Sequence, residues 1–414
     1  MTLQQQPRNI IKANRAGEVF PRWLCCLFVA ASLFSMAGCR SHEFPDYPAN
    51  YREFAYITNG GSNTVTVLDV VNLRQDRVIP VGSNPTGVAA NSKRNEVYVV
   101  NTGSNSVSVI DAEKNAVVAT IPVHQRPYFV SVNADGTRAY VANSGSNNVS
   151  MIDLTSRREI AVVGVGEGPG VAAVSPDGNA IVVSNRVGNS VSIIDAKTHK
   201  VRSVWRGCPG ATDIAILPDS SKAFVACSGG HQVMAIALET PPPASPRARV
   251  STRQVNPRDA LLAILDVGKT PIRLVLKPDG GEIFAVNFDG ASLSEIDTST
   301  NEVGGAYMVG THPVAGVATA DNSALYVSDF DADSLGIFSI DDGELLPVQA
   351  RTGDGPEAMA LSKAGHLLFV VDARSGDVAV IRTSSNSLLT MFPVGMKPND
   401  IAIKAFLAQP HHSL

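Results

Sequence analysis

The sequence predicts an all-β fold: a β-propeller of eight four-stranded blades, closed into a ring by its own terminal strands. Three observations predict it. A hairpin residue recurs at Asn59, Asn101, Asn143, Asn185, Cys227, Asn287, Asp329 and Asp372, in steps of 42 residues except one of 60 and one of 43. A proline recurs in parallel at Pro85, Pro127, Pro169, Pro209, Pro271, Pro313, Pro356 and Pro398. Between these landmarks lie only short β-branched runs bounded by Gly, Pro, Asn and Asp, with no helical periodicity. A period of this length marks a repeat architecture.

Each repeat reads as four strands. Residues 169–206 show them as "GVAAVSP", "AIVVSN", "SVSIIDA" and "KVRSVW". "SPDG" makes a tight turn between the first two, and "NRVGN" makes a hairpin loop between the next two. One such sheet cannot bury both faces alone, but radial stacking buries each against its neighbours. The chain enters the repeat on a second strand, "FAYITN", and leaves on a first strand, "PNDIAIK". Residues 398–404 therefore complete the blade begun by residues 54–81, leaving no open edge around the ring. The long step comes from a proline-rich insertion, residues 240–259, expected as a surface loop. The propeller is assigned to 54–404, with a tail at 405–414.

The N-terminus reads as a targeting segment. Arg8, Lys12, Arg15 and Arg22 precede a mostly apolar stretch, Trp23–Met36, which is short for a membrane span. The ending "FSMAGC" resembles a bacterial lipobox, which implies cleavage after residue 38 and lipid on Cys39. Residues 39–53 then form a short tether to a membrane. Arg40 after the lipidated cysteine resembles the outer-membrane sorting pattern, so the periplasmic face of that membrane is expected in a Gram-negative host. Removal of 1–38, with four basic residues and one acidic, leaves a formal net charge of −7. An acidic chain lacks the basic footprint of a nucleic-acid binder.

The repeats "YITNGGSNTVTVLD", "YVVNTGSNSVSVID" and "YVANSGSNNVSMID" are similar to the YVTN β-propeller repeat. The resemblance covers residues 51–404 and implies a propeller. Many relatives have seven blades, the alternative count here. It implies no single function, because relatives include surface-layer proteins, secreted proteins, propeller parts of reductases and lactonases.

If chemistry is present, it should lie where the copies disagree. The residues before the prolines are Asn84, Arg126, Gly168, Cys208, Thr270, His312, Gly355 and Lys397. Among them Arg126, His312 and Lys397, with nearby His124, are candidate ligand-binding residues expected around the channel mouth. Asp329, Asp331 and Asp333 in "DFDADS" are weak candidates for calcium, though glycine and glutamate of an EF-hand loop are missing. No other cofactor is expected: there is no CxxCH for covalent haem, and "CSGGH" has one cysteine at the wrong spacing. Cys208 and Cys227 fall at meeting ends of two antiparallel strands and are candidates for a disulfide. The repeated Asn59, Asn63, Asn101, Asn105, Asn143, Asn147, Asn185 and Asn189 are expected to satisfy turn backbone, as are Asp69, Asp111, Asp153 and Asp195.

No GxSxG or HExxH motif is present and no catalytic set is complete from sequence. The leading expectation is therefore a non-catalytic binding or scaffold propeller, docking a protein, peptide or envelope glycan on its upper loops. The alternatives are a channel-centred enzyme, lactonase-like or cofactor-dependent and redox-active, and a structural cell-surface component.

Overall fold

The computed structural model describes residues 45–239 and 259–409. The expected signal peptide, Cys39 and most of the insertion lie outside the described residues. The described chain from Tyr47 onward forms one compact unit. It contains eight antiparallel sheets, each of four strands, with the outer strand of the seventh broken into two short pieces. We number the blades from the closing one.

Blade 1 is built from both ends of the chain. Its inner strand, Pro398–Leu407, pairs antiparallel with Tyr51–Asn59, which continues into Thr64–Asp69 and Arg74–Pro80. The strands reach beyond the expected limits on both sides. Tyr51–Glu53 belong to the ring rather than to a tether, and Ala405–Leu407 belong to it rather than to a tail. The physical reason is pairing: Tyr51 faces Leu407 and Glu53 faces Ala405, so each extension satisfies the other's backbone. Asp259, assigned from sequence to the surface insertion, is instead buried. Its carboxylate takes two bonds from the Arg202 guanidinium and others from Ser203 Oγ and the Glu239 amide, so the base of the insertion is pinned to blade 4.

The core is divided between blades. Eight apolar clusters match the eight blade interfaces; between blades 4 and 5, Val182, Val191 and Ile193 pack on Ala223, Val225 and Met234. Middle strands such as Glu96–Asn101 and Ala180–Asn185 are buried nearly end to end, because both faces meet another sheet. Outer strands such as Arg158–Gly164 alternate between exposed and partly or fully buried residues.

The repeated asparagines are structural. Asn59, Asn101, Asn143, Asn185 and Asn287 are fully buried. Each Nδ2 donates to side-chain oxygens five and seven residues later, as Asn101 does to Ser106 (3.1 Å) and Ser108 (2.9 Å). Asn63, Asn105, Asn147 and Asn189 sit at left-handed φ and accept the amide N–H found 21 residues on, as Asn105 does from Arg126. Asp111, Asp153 and Asp195 accept amides of the turns that follow them.

Three blades replace the buried asparagine. In blade 5 Cys227 stands there and is bonded to Cys208. In most other blades the residue facing this position is a glycine (blade 3 has His124 there): a Cβ on Gly82 would fall 2.5 Å from Asn101 Cγ, and one on Gly166 2.6 Å from Asn185 Cγ. Cys208 occupies that glycine position, so the cross-link replaces a close glycine–asparagine contact.

In blade 8 the asparagine and its partner five residues on become Asp372 and Asp377. Both have a buried carboxylate oxygen with no hydrogen-bond partner. Burial, and then the neighbouring Asp377, push the Asp372 carboxyl up to about 8. A carboxyl raised in this way contributes stability that is complete below its unfolded value near 4 and is lost as pH rises through about 8. Asp372→Asn restores a donor toward Asp377. It should therefore be more stable than the wild type at pH 8.5, by about 1–3 kcal/mol, with the advantage shrinking at pH 5. Urea denaturation at the two pH values measures this; an equal or lower stability at pH 8.5 would contradict the proton-sharing account.

Candidate functional site

The inner strands of the blades surround a central channel, and each begins in the same way. The landmark proline pairs with the landmark hairpin residue, as Pro85 with Asn101, Pro271 with Asn287 and Pro356 with Asp372. Immediately afterward the register shifts by a bulge. A bulge leaves a residue unpaired and re-aims side chains. Thr86, Tyr128, Ile272, Glu357 and Asn399 are the unpaired residues, and all five line one channel cavity of about 360 Å³. Asp213, Arg273 and Asp400, also just inside the inner strands, line it too, and Arg186 reaches it from a hairpin loop.

The cavity is polar and asymmetrically charged. Asp400 Oδ2 accepts the Val88 amide of the next blade (3.1 Å), and its Oδ1 accepts the Ile401 amide. On the opposite side of the ring, Asp213 Oδ2 accepts the Leu274 amide of its own next blade (2.9 Å). Arg273 Nη1 lies 3.8 Å from Asp213 Oδ2, and this carboxylate is the main cause holding the guanidinium firmly protonated. Desolvation raises the Asp400 carboxyl to about 6, against the pull of Arg273. Desolvation also raises Glu357, opposed by Arg273 and reinforced by Asp400. Arg273, held by Asp213, thus faces the two carboxyls whose burial favours the protonated form, Asp400 and Glu357, with the Tyr128 ring half exposed beside them.

His124, Arg126, His312 and Lys397, the residues expected from sequence around the channel mouth, do not line this cavity. The position before each inner strand is a left-handed turn in all eight blades, from Asn84 (φ 48°) through His312 (φ 55°) to Lys397 (φ 52°). Its residue type therefore answers to backbone conformation first. In blade 5 this position is Gly210, not Cys208, because Ala211 takes the proline's place opposite Cys227.

His124 Nε2 lies 3.5 Å from Glu159. His312 stacks on Phe288 and bonds through Nδ1 to Asp331, which also pairs with Arg374; these two contacts hold the Asp331 carboxyl low. The two histidines have separate partners and form no shared site.

The three aspartates proposed for calcium point to different neighbours. Asp329 Oδ1 accepts the Thr311 amide, Asp331 engages His312 and Arg374, and Asp333 accepts the Gly355 amide. Among the described residues no group of three or more His, Cys, Asp or Glu side chains is arranged to hold a metal ion.

Only part of the charged set leaves a mark in the repeat. Arg273 and Asp400 stand two residues after a landmark proline and Glu357 one, where most copies are uncharged, whereas Asp213 stands four after Pro209 and aligns with them only because Ala211 pairs with Cys227. The informative disagreement lay just after the landmark instead of just before it, and only the bulge makes that distinction.

A family model described as YNCE-like beta-propeller matches residues 43–176, and one described as Lactonase, 7-bladed beta-propeller, matches residues 280–392. The chain is an eight-bladed β-propeller related to YNCE-like and lactonase-type propellers. Neither model spans half of it, and the lactonase match includes Glu357 while Asp213, Arg273 and Asp400 lie outside. No curated protein matches.

Among solved structures, the propeller is similar to the dihydro-heme d1 dehydrogenase NirN (16% identity, covering 87% of this chain and 76% of that one, TM-score 0.66). It is also similar to apo AztD from Citrobacter koseri (15%, 86% and 98%, TM-score 0.63). A third is a candidate 6-phosphogluconolactonase from Bacteroides fragilis (15%, 87% and 100%, TM-score 0.58). At these identities the likeness is one of fold. The lactonase-family match overturns the expectation of a non-catalytic scaffold, and with it the expectation that the protein is not an enzyme. Repeats that look uniform in their blade-forming residues concealed the charged set, because it occupies the few positions that the repeat leaves free.

Proposed function

We propose that this propeller is a channel-centred hydrolase that opens a small lactone. The observation that carries the reading is the Arg273 guanidinium facing Asp400 and Glu357 inside a cavity of ligand size. The lactonase match over residues 280–392 supports the reaction class.

In this reading Arg273 N–H groups polarise the lactone carbonyl and stabilise the oxyanion formed by attack of water. Ionised Asp400 removes the proton from that water. Glu357, whose burial favours the neutral acid, protonates the ring oxygen as the carbon–oxygen bond breaks. The product is a hydroxy acid, and the proton on Asp400 returns to Glu357 or to solvent. Asp213 positions Arg273 through their ion pair. A panel of five- and six-membered aldonolactones, followed by pH-stat titration of released acid, tests the activity. Failure to exceed spontaneous opening with every member would defeat the reading.

The same proposal places the enzyme outside the cytoplasm, tethered by lipid on Cys39. Support comes from the leader sequence and from the Cys208–Cys227 disulfide, a bond suited to an oxidising compartment. Metabolic labelling with a palmitate analogue in a bacterial host should mark the wild type and not Cys39→Ala. Equal labelling of both would contradict the anchor.

A further inference from the structure

The guanidinium of Arg273 is the unusual group of the channel. It donates no hydrogen bond to any of the described residues; its contact with Asp213, at 3.8 Å, is an ion pair beyond hydrogen-bond range. Its side chain keeps 45% of its accessible surface although it stands inside the ring. Asp213 spends its own Oδ2 on the Leu274 amide, and so orients the cation without occupying its donors. A planar fork of free N–H groups matches a carboxylate or another flat oxyanion.

The groups facing it select further. Around the cavity Thr86, Gly87, Phe129, Gly170, Val171, Ala211, Thr212 and Ile272 supply no charge, Asn399 supplies an amide and Tyr128 a phenol. The charged set is Arg186, Asp213, Arg273, Glu357 and Asp400. Ionised, Glu357 and Asp400 would repel an anion. Neutral, each carboxyl has an O–H to donate to it. Desolvation raises both carboxyls, Asp400 to about 6, and so favours the neutral form of each.

We propose that the channel is a carboxylate receptor, in which Arg273 grips the carboxylate of a small hydroxy acid while Asp400 and Glu357 bind it as neutral acids. The choice of a hydroxy acid rests on the hydrolase reading, whose product has this chemistry. The receptor itself needs no turnover. Binding then takes up protons, affinity falls as pH rises, and an accumulating product slows the enzyme most strongly under mildly acidic conditions.

Isothermal titration calorimetry of the full chain with sodium gluconate tests this, run at pH 7 in HEPES and in Tris, buffers of different ionisation heat that bring no phosphate to compete for the guanidinium. The wild type should bind with uptake of roughly half to one proton, read from the difference in heat between buffers, and bind more weakly at pH 8. Arg273→Gln should weaken binding about 10- to 100-fold. Asp400→Asn should keep binding and lose most of the proton uptake. Circular dichroism confirms that each variant is folded. Undetectable gluconate binding by the wild type, unchanged affinity in Arg273→Gln, or binding without proton uptake would each overturn the receptor. Arg186→Gln serves as a locator: loss of binding there with none in Arg273→Gln would place the anion at the channel mouth and also overturn it. Binding with proton uptake but no lactone turnover would defeat the hydrolase reading alone, whereas turnover without such binding would defeat only the receptor.

Discussion

Asp400→Asn should lower lactone turnover by about 10²- to 10³-fold, the range for removing a positioned general base. The substitution conserves shape, and Asn Oδ1 can still accept the Val88 amide that Asp400 accepts at 3.1 Å, so the clasp between blades 1 and 2 survives. What is lost is the acceptor for the Ile401 amide, a local contact, and the capacity to take a proton from water. The pH profile separates this from a general structural fault. With the Asp400 carboxyl at about 6, wild-type kcat/KM should rise with pH through that value and fall again at higher pH, where Glu357 loses the proton it has to donate. Asp400→Asn should show no rising limb. A variant that kept the limb near pH 6 while losing activity uniformly would show that Asp400 serves the fold, and the base would have to be sought elsewhere.

Loss of the Cys208–Cys227 disulfide should destabilise the propeller by about 3 kcal/mol, the chain-entropy expectation for its short loop. The bond spans a sequence separation of 19 residues and ties the entry of the blade 5 inner strand to the end of its neighbour. Cys208→Ala with Cys227→Ala is the appropriate variant, since both cysteines are buried and a reductant would reach them slowly. Alanine fits the glycine-like position at 208 because alanine at 227 removes the facing side chain. For a domain of this size the melting temperature should fall by roughly 4 °C, with no further change on adding dithiothreitol. Equal melting temperatures for oxidised wild type and the double variant would show that blade packing alone secures this corner.

The ring was legible before any coordinates. Alternating β-branched residues, a 42-residue period and strands missing at one end but present at the other already imply eight closed blades, since a sheet with two apolar faces has to be covered on both. The cysteine pair was legible for the same reason, because antiparallel pairing brings residues at matching strand ends together. The structural roles of the repeated Asn59 and Asn63 positions also followed, from the ability of asparagine to satisfy backbone and adopt positive φ.

The channel was decided by tertiary structure. Arg126, His312 and Lys397 are as variable and polar as Asp213, Arg273, Glu357 and Asp400, and lie only a few residues away in their repeats. Only the bulge after each proline sends the second set toward the axis while the first turns in left-handed corners above it. Four charges drawn from blades 1, 5, 6 and 8 become neighbours solely because the ring closes. Periodicity is a local property and is written along the chain; the convergence of distant side chains on one axis, and the desolvation that raises Asp400 and Glu357, come from closure.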